Sequence, residues 1–320
     1  MTTLPELDYA AEADRIGARL RELTFNTLRR RGLVVAMSGG IDSTTCAALA
    51  VRALGKEKVF GLLLPERDSS GESSKLGRLL AEHLGIGYSL HDISPTLTAI
   101  GCYSSQDEAL RRALPGFGDG WKFKLALSDA MGGRIGITKV VAVDPQGQRH
   151  EQRLSARDYL QIVAATNFKQ RIRKTMEYYH ADRLNYAVVG TPNRLEYDQG
   201  FFVKNGDGAA DVKPIAHLYK TQVYSMARYL GVPEPLTRTT PTTDTFSLAQ
   251  GQDEFYFGLP YPQMDLALWH FNEGRSAAEL ATALGCDEAS AERRYESIRA
   301  KRQTTAYLHA APQLVVPVEL

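Results

Sequence analysis

The stretch with the most chemistry in it is Ser38-Gly39-Gly40-Ile41-Asp42-Ser43, which follows a short apolar run and opens a helical pattern. Two adjacent glycines let the backbone turn tightly and aim its N–H groups at a pyrophosphate. The N-terminus of the following helix adds positive potential, and the serine hydroxyls add donors. Asp42 is then the natural ligand for a Mg²⁺ ion riding on those phosphates. The loop is not a Walker A loop, because it lacks both the lysine and the spacer between glycines. A plain Gly-Gly turn with Asp and Ser as helix caps has the same composition. The strand before it and the helix after it favour the anion cradle.

The elements that must hold this loop can be read from apolar runs and their period. Residues 10–31 place Ile16, Leu20, Leu23 and Leu28 on roughly one helical face. "LVVAM" (33–37), "KVFGLLLP" (58–65) and "YAVVGT" (186–191) are continuous apolar runs, the mark of strands covered on both faces, and "YSLHDIS" (88–94) reads as a further strand. A helix runs from the glycine loop to about Leu54, and Leu76, Leu79, Leu80 and Leu84 mark another helix face. After a long irregular stretch, 164–182 regains helical period. This alternation predicts an α/β fold, a doubly wound parallel sheet with helices on both faces, whose ligand crevice lies at the carboxyl ends of the strands. Two regions break the pattern. Residues 112–157 are Gly-rich and carry "KVVAVD-PQGQ-RHEQRL", an inserted β-hairpin. Residues 262–303 read as three short helices. The predicted organisation is one α/β domain over 1–260 with the insertion, and a helical C-terminal extension of the same domain over 261–320.

Composition removes several function classes. Lys+Arg 38 against Asp+Glu 37 leaves almost no net field, so neither nucleic acid nor an anionic membrane is an expected partner. Cys46, Cys102 and Cys286 are scattered and lack CxxC spacing, which disfavours a disulfide framework or a zinc site. No signal-peptide pattern and no spanning apolar run is visible, and a cytoplasmic protein is expected.

"SGGxDS" after a buried strand resembles the ATP-pyrophosphatase superfamily (adenine nucleotide alpha hydrolase-like fold). "GTPNRLEYDQGFFVKNGDGAADVKPIAHLYKTQVYSMARYLGVP" (190–233) is similar to the matching block of the ammonia-dependent NAD synthetases. "PTTD" (241–244) and "DEFYFGLPYPQMDLAL" resemble later segments of that family. The resemblance implies a ligase that adenylylates the carboxylate of deamido-NAD with Mg-ATP and passes it to ammonia, free or from a separate glutaminase. It also implies a homodimer.

On matching positions the resemblance implies that Glu196 joins Asp42 on Mg²⁺. It further implies that Ser38, Gly39, Gly40, Ser43, Thr191, Lys220 and Thr242 bind ATP, and that Asn167, Arg171, Lys204, Asp211 and Lys301 bind the carboxylate substrate. Asp42, Glu196 and Lys220 would be catalytic. A lysine near a helix start opposes the helix dipole, which favours an anion-binding role for Lys220 over a surface one. Arg171 and Arg173 by themselves read as an exposed helical face, and Glu196 by itself as solvated surface. Arg67 and Ser70 are candidate adenine contacts. Trp121, Phe123 and Tyr103 suit either a substrate ring or core anchoring. His91, His180 and His217 read as structural.

This sequence departs from the family pattern at Asn205, Ala209, Ala300 and Thr305 and in the insertion, all on the carboxylate-substrate side. A paralogue amidating another carboxylate is therefore the alternative. "GRSAAELATALGCDEASAERRYESIRAKR" also passes for a helix-turn-helix reader, although the chain is not strongly basic.

Overall fold

The computed structural model describes residues 3–128, 137–238, 246–248, 251, 256 and 259–318. Thr242 and the "PTTD" segment lie outside the described residues.

In chain order the elements begin with α1 (Tyr9–Arg21), extended by a π-helical turn at Glu22–Thr27, then β1 (Leu33–Ala36) and α2 (Ile41–Leu54). Next come β2 (Val59–Leu63), α3 (Gly71–Leu84), β3 (Gly87–Leu90), α4 (Ser94–Ala99) and α5 (Cys102–Ala113). The insertion holds β4 (Lys122–Ser128), β5 (Ile137–Val143) and β6 (Arg149–Arg153). The chain continues through α6 (Ala156–Leu184), β7 (Ala187–Val188), α7 (Arg194–Gln199), α8 (Lys220–Tyr229) and α9 (Glu234–Thr237). It closes with α10 (Tyr261–Asn272), α11 (Ala277–Leu284) and α12 (Glu288–His309).

The central sheet is parallel, in the order β3-β2-β1-β7. Side chains alternate across it as the strand period demands. Leu33, Val35, Val59, Leu63 and Ala187 face α1, α2, α3 and α8, whereas Val34, Leu62 and Val188 face α4, α5 and α6. Both faces are covered, which is why β1, β2 and β7 read as unbroken apolar runs. The order reverses at β1: β2 lies on one side and β7 on the other, so the crevice opens beyond β1 and β7.

The expected hairpin is present as β5-β6, and β4 joins it to make a three-stranded antiparallel sheet in the order β4-β5-β6. Phe123, Leu125, Val140 and Ala142 pack on α5 and Ile162 of α6, forming a core of their own. The irregular stretch before it contains α4 and α5, and α6 starts at Ala156, a full two turns before the period becomes obvious. The C-terminal helices are three, but α12 is long, at 22 residues. No helix among the described residues is long and apolar enough to cross a membrane.

Candidate functional site

A cavity of about 670 Å³ lies at the carboxyl ends of the parallel strands. Its floor is the glycine loop. Gly39 has φ +78°, and a Cβ there would come within 2.8 Å of Leu76 Cβ and 3.0 Å of the Ser73 carbonyl, so only glycine fits both the turn and the neighbour. Gly40 occupies the N-cap of α2 and brings no side chain to cover the first-turn amides. Ser38 and Ser43 hydroxyls sit 3.2 Å apart on the same rim. The result is a concave set of donors at a helix N-terminus, the geometry that suits phosphate.

Three charged groups from distant parts of the chain meet beside this floor, Asp42 and Glu196 on the cavity wall and Lys220 sealed behind them. Lys220, first residue of α8 and fully buried, donates its ammonium to Asp42 Oδ2. Asn193 donates from Nδ2 to Asp42 Oδ1 at 3.0 Å, and its backbone N–H donates to Glu196 Oε2 at 3.1 Å. The Glu196 amide in turn donates to Asn193 Oδ1 at 3.2 Å, completing a capping box that starts α7. One asparagine thus ties both carboxylates into a single unit.

The electrostatics follow from this crowding. Burial, and then the Asp42 charge, raise the Glu196 carboxyl well above the usual carboxylate range, against the opposing pull of Lys220. For Lys220, burial favours the neutral amine, but Asp42 and Glu196 outweigh it and raise its pKa. The ammonium also sits at the positive end of α8. Asp265 of α10 offsets that by accepting from the Lys220 amide at 3.1 Å and from Thr221 N and Oγ1 at 2.8 and 2.7 Å. Burial pushes Asp265 up to about 6 despite those donors.

Ser38, Gly39, Gly40, Asp42, Ser43, Asn167, Thr191 and Glu196 all line the cavity. Four other sequence candidates, Arg171, Lys204, Asp211 and Lys301, are not part of that lining. Arg171 Nε donates to the Lys204 carbonyl at 3.3 Å. Lys204 donates to the carbonyls of Tyr307 and Ala310 at 2.7 and 3.0 Å, at the end of α12. Asp211 accepts from the Val188 amide at 2.7 Å. Lys301 stands 4.9 Å from the centroid of Tyr256, a cavity-lining ring, and burial lowers its amine to about 8. Arg67 covers the Tyr103 ring rather than facing the cavity, while Ser70 does line it. Phe123 is a core residue, Tyr103 donates to Glu66, and Trp121 packs on Phe117 and His150. His91 and His180 contact each other, and His217 contacts Glu12.

Sequence reasoning gave no role to Asn193 or Asp265. The first was signalled by N-x-x-E at a helix start. The second was signalled by a lone acid in the apolar run "MDLALWHF". It expected the insertion on the substrate side but did not name the residues of two stretches of cavity wall. One is apolar, made of Leu125, Tyr159, Val163 and Phe246 from the inserted sheet and its surroundings. The other is charged, where Lys174 pairs with Glu177 at 2.8 Å near Asp207. Burial raises the carboxyls of both Glu177 and Asp207.

Comparison with known proteins identifies the family. A family model described as NAD synthase matches residues 14–113 and 127–307, breaking where the inserted sheet begins. A protein of Mesorhizobium japonicum named NH(3)-dependent NAD(+) synthetase is 56% identical over 313 residues, covering 98% of each chain. Among solved structures, NMN synthetase from Francisella tularensis superimposes with a TM-score of 0.67 at 22% identity, covering 97% of this chain and 99% of that one, a likeness of fold. NAD+ synthetase from Burkholderia pseudomallei gives 0.57 at 27% identity, with 95% and 92% covered. With the family model matched over most of the chain, β5 and β6 included, and a relative more than half identical from end to end, the chain belongs to the NAD synthase family.

Proposed function

We propose that the chain is an ATP-dependent, ammonia-using amide ligase that converts deamido-NAD to NAD, AMP and pyrophosphate. The observation that carries this reading is the meeting of Asp42, Lys220 and Glu196, through Asn193, beside a phosphate-shaped floor whose wall includes both carboxylate residues. The nicotinate carboxylate attacks the α-phosphorus of ATP and the bond to pyrophosphate breaks, leaving an acyl-adenylate. Ammonia then adds to the acyl carbon, AMP departs and the nitrogen loses a proton.

A buried carboxyl and a half-buried carboxylate meet one ammonium here, and burial first, then the Asp42 charge, raise the Glu196 carboxyl. This donor set suits Mg²⁺, with Asp42 and Glu196 holding it beside the nucleotide phosphates. Bound there, the ion would neutralise charge on the departing pyrophosphate. The glycine-loop amides, Ser38, Ser43 and Thr191 hold the triphosphate. Lys220 adds a preorganised positive charge toward the leaving group, and Asp265 keeps its helix start in place. Thr242 is assigned to ATP from the sequence alone. Asn167 lies in the wall available to the dinucleotide. Arg171, Lys204, Asp211 and Lys301 belong to the substrate side on the same reading, and those bonded to protein must exchange those bonds for the ligand.

The reading extends to a cytoplasmic homodimer using free or separately supplied ammonia, and to a single domain spanning 1–260 with 261–320 as its extension. Leu195 of α7 packs in one core with Leu268 of α10 and Tyr295 of α12, which supports that extension. A different carboxylate is the second reading, favoured by the apolar wall to which Leu125 of the inserted sheet contributes. Heavy-oxygen label in the substrate carboxylate tests the chemistry. Adenylylation moves label into AMP, and label retained entirely in the amide or released to phosphate would rule it out.

A further inference from the structure

One buried charged cluster has no task in the mechanism above. Lys169 of α6 is fully buried, with its ammonium 3.1 Å from Glu66 Oε1 and 2.6 Å from Asp68 Oδ2. Glu66 Oε2 accepts the Tyr103 hydroxyl at 2.9 Å, and that hydroxyl accepts the Arg67 amide at 3.3 Å. The Arg67 guanidinium lies 3.9 Å from the Tyr103 ring centroid and pairs with Asp68 at 3.2 Å. Buried ion pairs of this kind are often neutral or worse for stability than apolar packing, so stability is a poor reason for one.

What the cluster does is hold a loop. Glu66 and Asp68 lie in the segment joining β2 to α3, and their side chains are pulled inward while the segment's other face looks into the cavity through Pro65, Ser69 and Ser70. Arg173 of α6 reinforces the hold, with Nε on the Leu64 carbonyl at 3.3 Å and a terminal nitrogen on Ser69 Oγ at 3.2 Å. The loop delivers the first turn of α3, and that turn packs directly on Gly39 of the phosphate floor. The β2–α3 loop and the phosphate floor are therefore one continuous surface. A nucleotide anchored by its phosphates on Gly39 and Gly40 meets this loop with its nucleoside half.

Resting on the nucleotide reading above, we propose that Lys169 is a positioning residue for ATP: its ion pairs with Glu66 and Asp68 fix the 65–70 loop in the shape that receives the nucleoside. Lys169 acts only through the loop, since its own side chain is sealed from the cavity.

Two variants of the full chain test this. Lys169→Met keeps the stem and removes the charge, and Tyr103→Phe removes one hydroxyl and leaves every charge in place. ATP affinity is read by calorimetry without a second substrate, beside KM and kcat. Lys169→Met should weaken ATP about tenfold or more and Tyr103→Phe about threefold, with the KM for the carboxylate substrate and kcat at saturating ATP within about twofold. ATP affinity unchanged in both variants overturns the proposal. A parallel rise in both KM values with a lowered Tm also overturns it, because a merely structural cluster behaves that way. If Lys169→Met, which strands two buried acids, does not fold, Tyr103→Phe decides alone. Wild-type protein that binds ATP but makes no amide from deamido-NAD would remove the substrate reading and leave this test standing.

Discussion

The two ends of the cavity are built differently. At the phosphate end every charged partner is already in place: Lys220 on Asp42, Asn193 between Asp42 and Glu196, Asp265 under the start of α8. At the substrate end, the side chains assigned to the dinucleotide hold protein instead, Lys204 at the end of α12 and Asp211 at the edge of β7. The phosphate end serves a group common to all nucleotides and can be rigid. On the proposed assignment the substrate end trades internal bonds for ligand bonds, and reaction type and substrate choice are then carried by separate parts of the molecule.

The contrast breaks most visibly at Lys220. Lys220→Ala should lower kcat by about a hundredfold or more, the scale of losing one preorganised charge at a leaving group, as steady-state pyrophosphate release would show. Near-normal turnover would mean the phosphate end is not preassembled for catalysis. Asp265→Asn should act through Lys220 and reduce kcat about tenfold with little change in either KM. The substrate end predicts the opposite signature. Lys204→Ala should raise the KM for the dinucleotide about tenfold while the KM for ATP holds, and initial-rate kinetics with each substrate varied would show it. If neither KM moves and only the Tm falls, Lys204 is a helix-end contact and nothing more. Asp211→Ala should cost about 1–3 kcal/mol in denaturant unfolding, because it leaves the Val188 amide without its acceptor.

The same division governs what could be read before the structure. β1, β2 and β7 announce themselves as unbroken apolar runs because both sheet faces are covered. α5 was hidden because its buried face includes Cys102, Tyr103 and Gln106, a stripe too polar to register as a helix core. β4 carries a plain alternation, Lys122-Phe123-Lys124-Leu125, but the Gly-rich flanks read as loop. The glycine loop is local, so its chemistry is legible from adjacent residues. The ion pair of Asp42 with Lys220 joins residues 178 positions apart, and only the parallel sheet and α8 bring them together. Lys169 illustrates the limit most clearly. Nothing in the neighbourhood of its position in the chain distinguishes a buried loop clamp from one more basic residue on a helical face.

The central claim, that a ready-made adenylylating centre serves a dinucleotide carboxylate, is tested most directly by pyrophosphate release from Mg-ATP and ammonium with deamido-NAD or with nicotinate mononucleotide. The account predicts release matched by NAD and AMP with deamido-NAD and little with the mononucleotide. Rapid release with the mononucleotide and none with deamido-NAD would contradict it, and would turn attention to the apolar wall that Leu125, Tyr159, Val163 and Phe246 form.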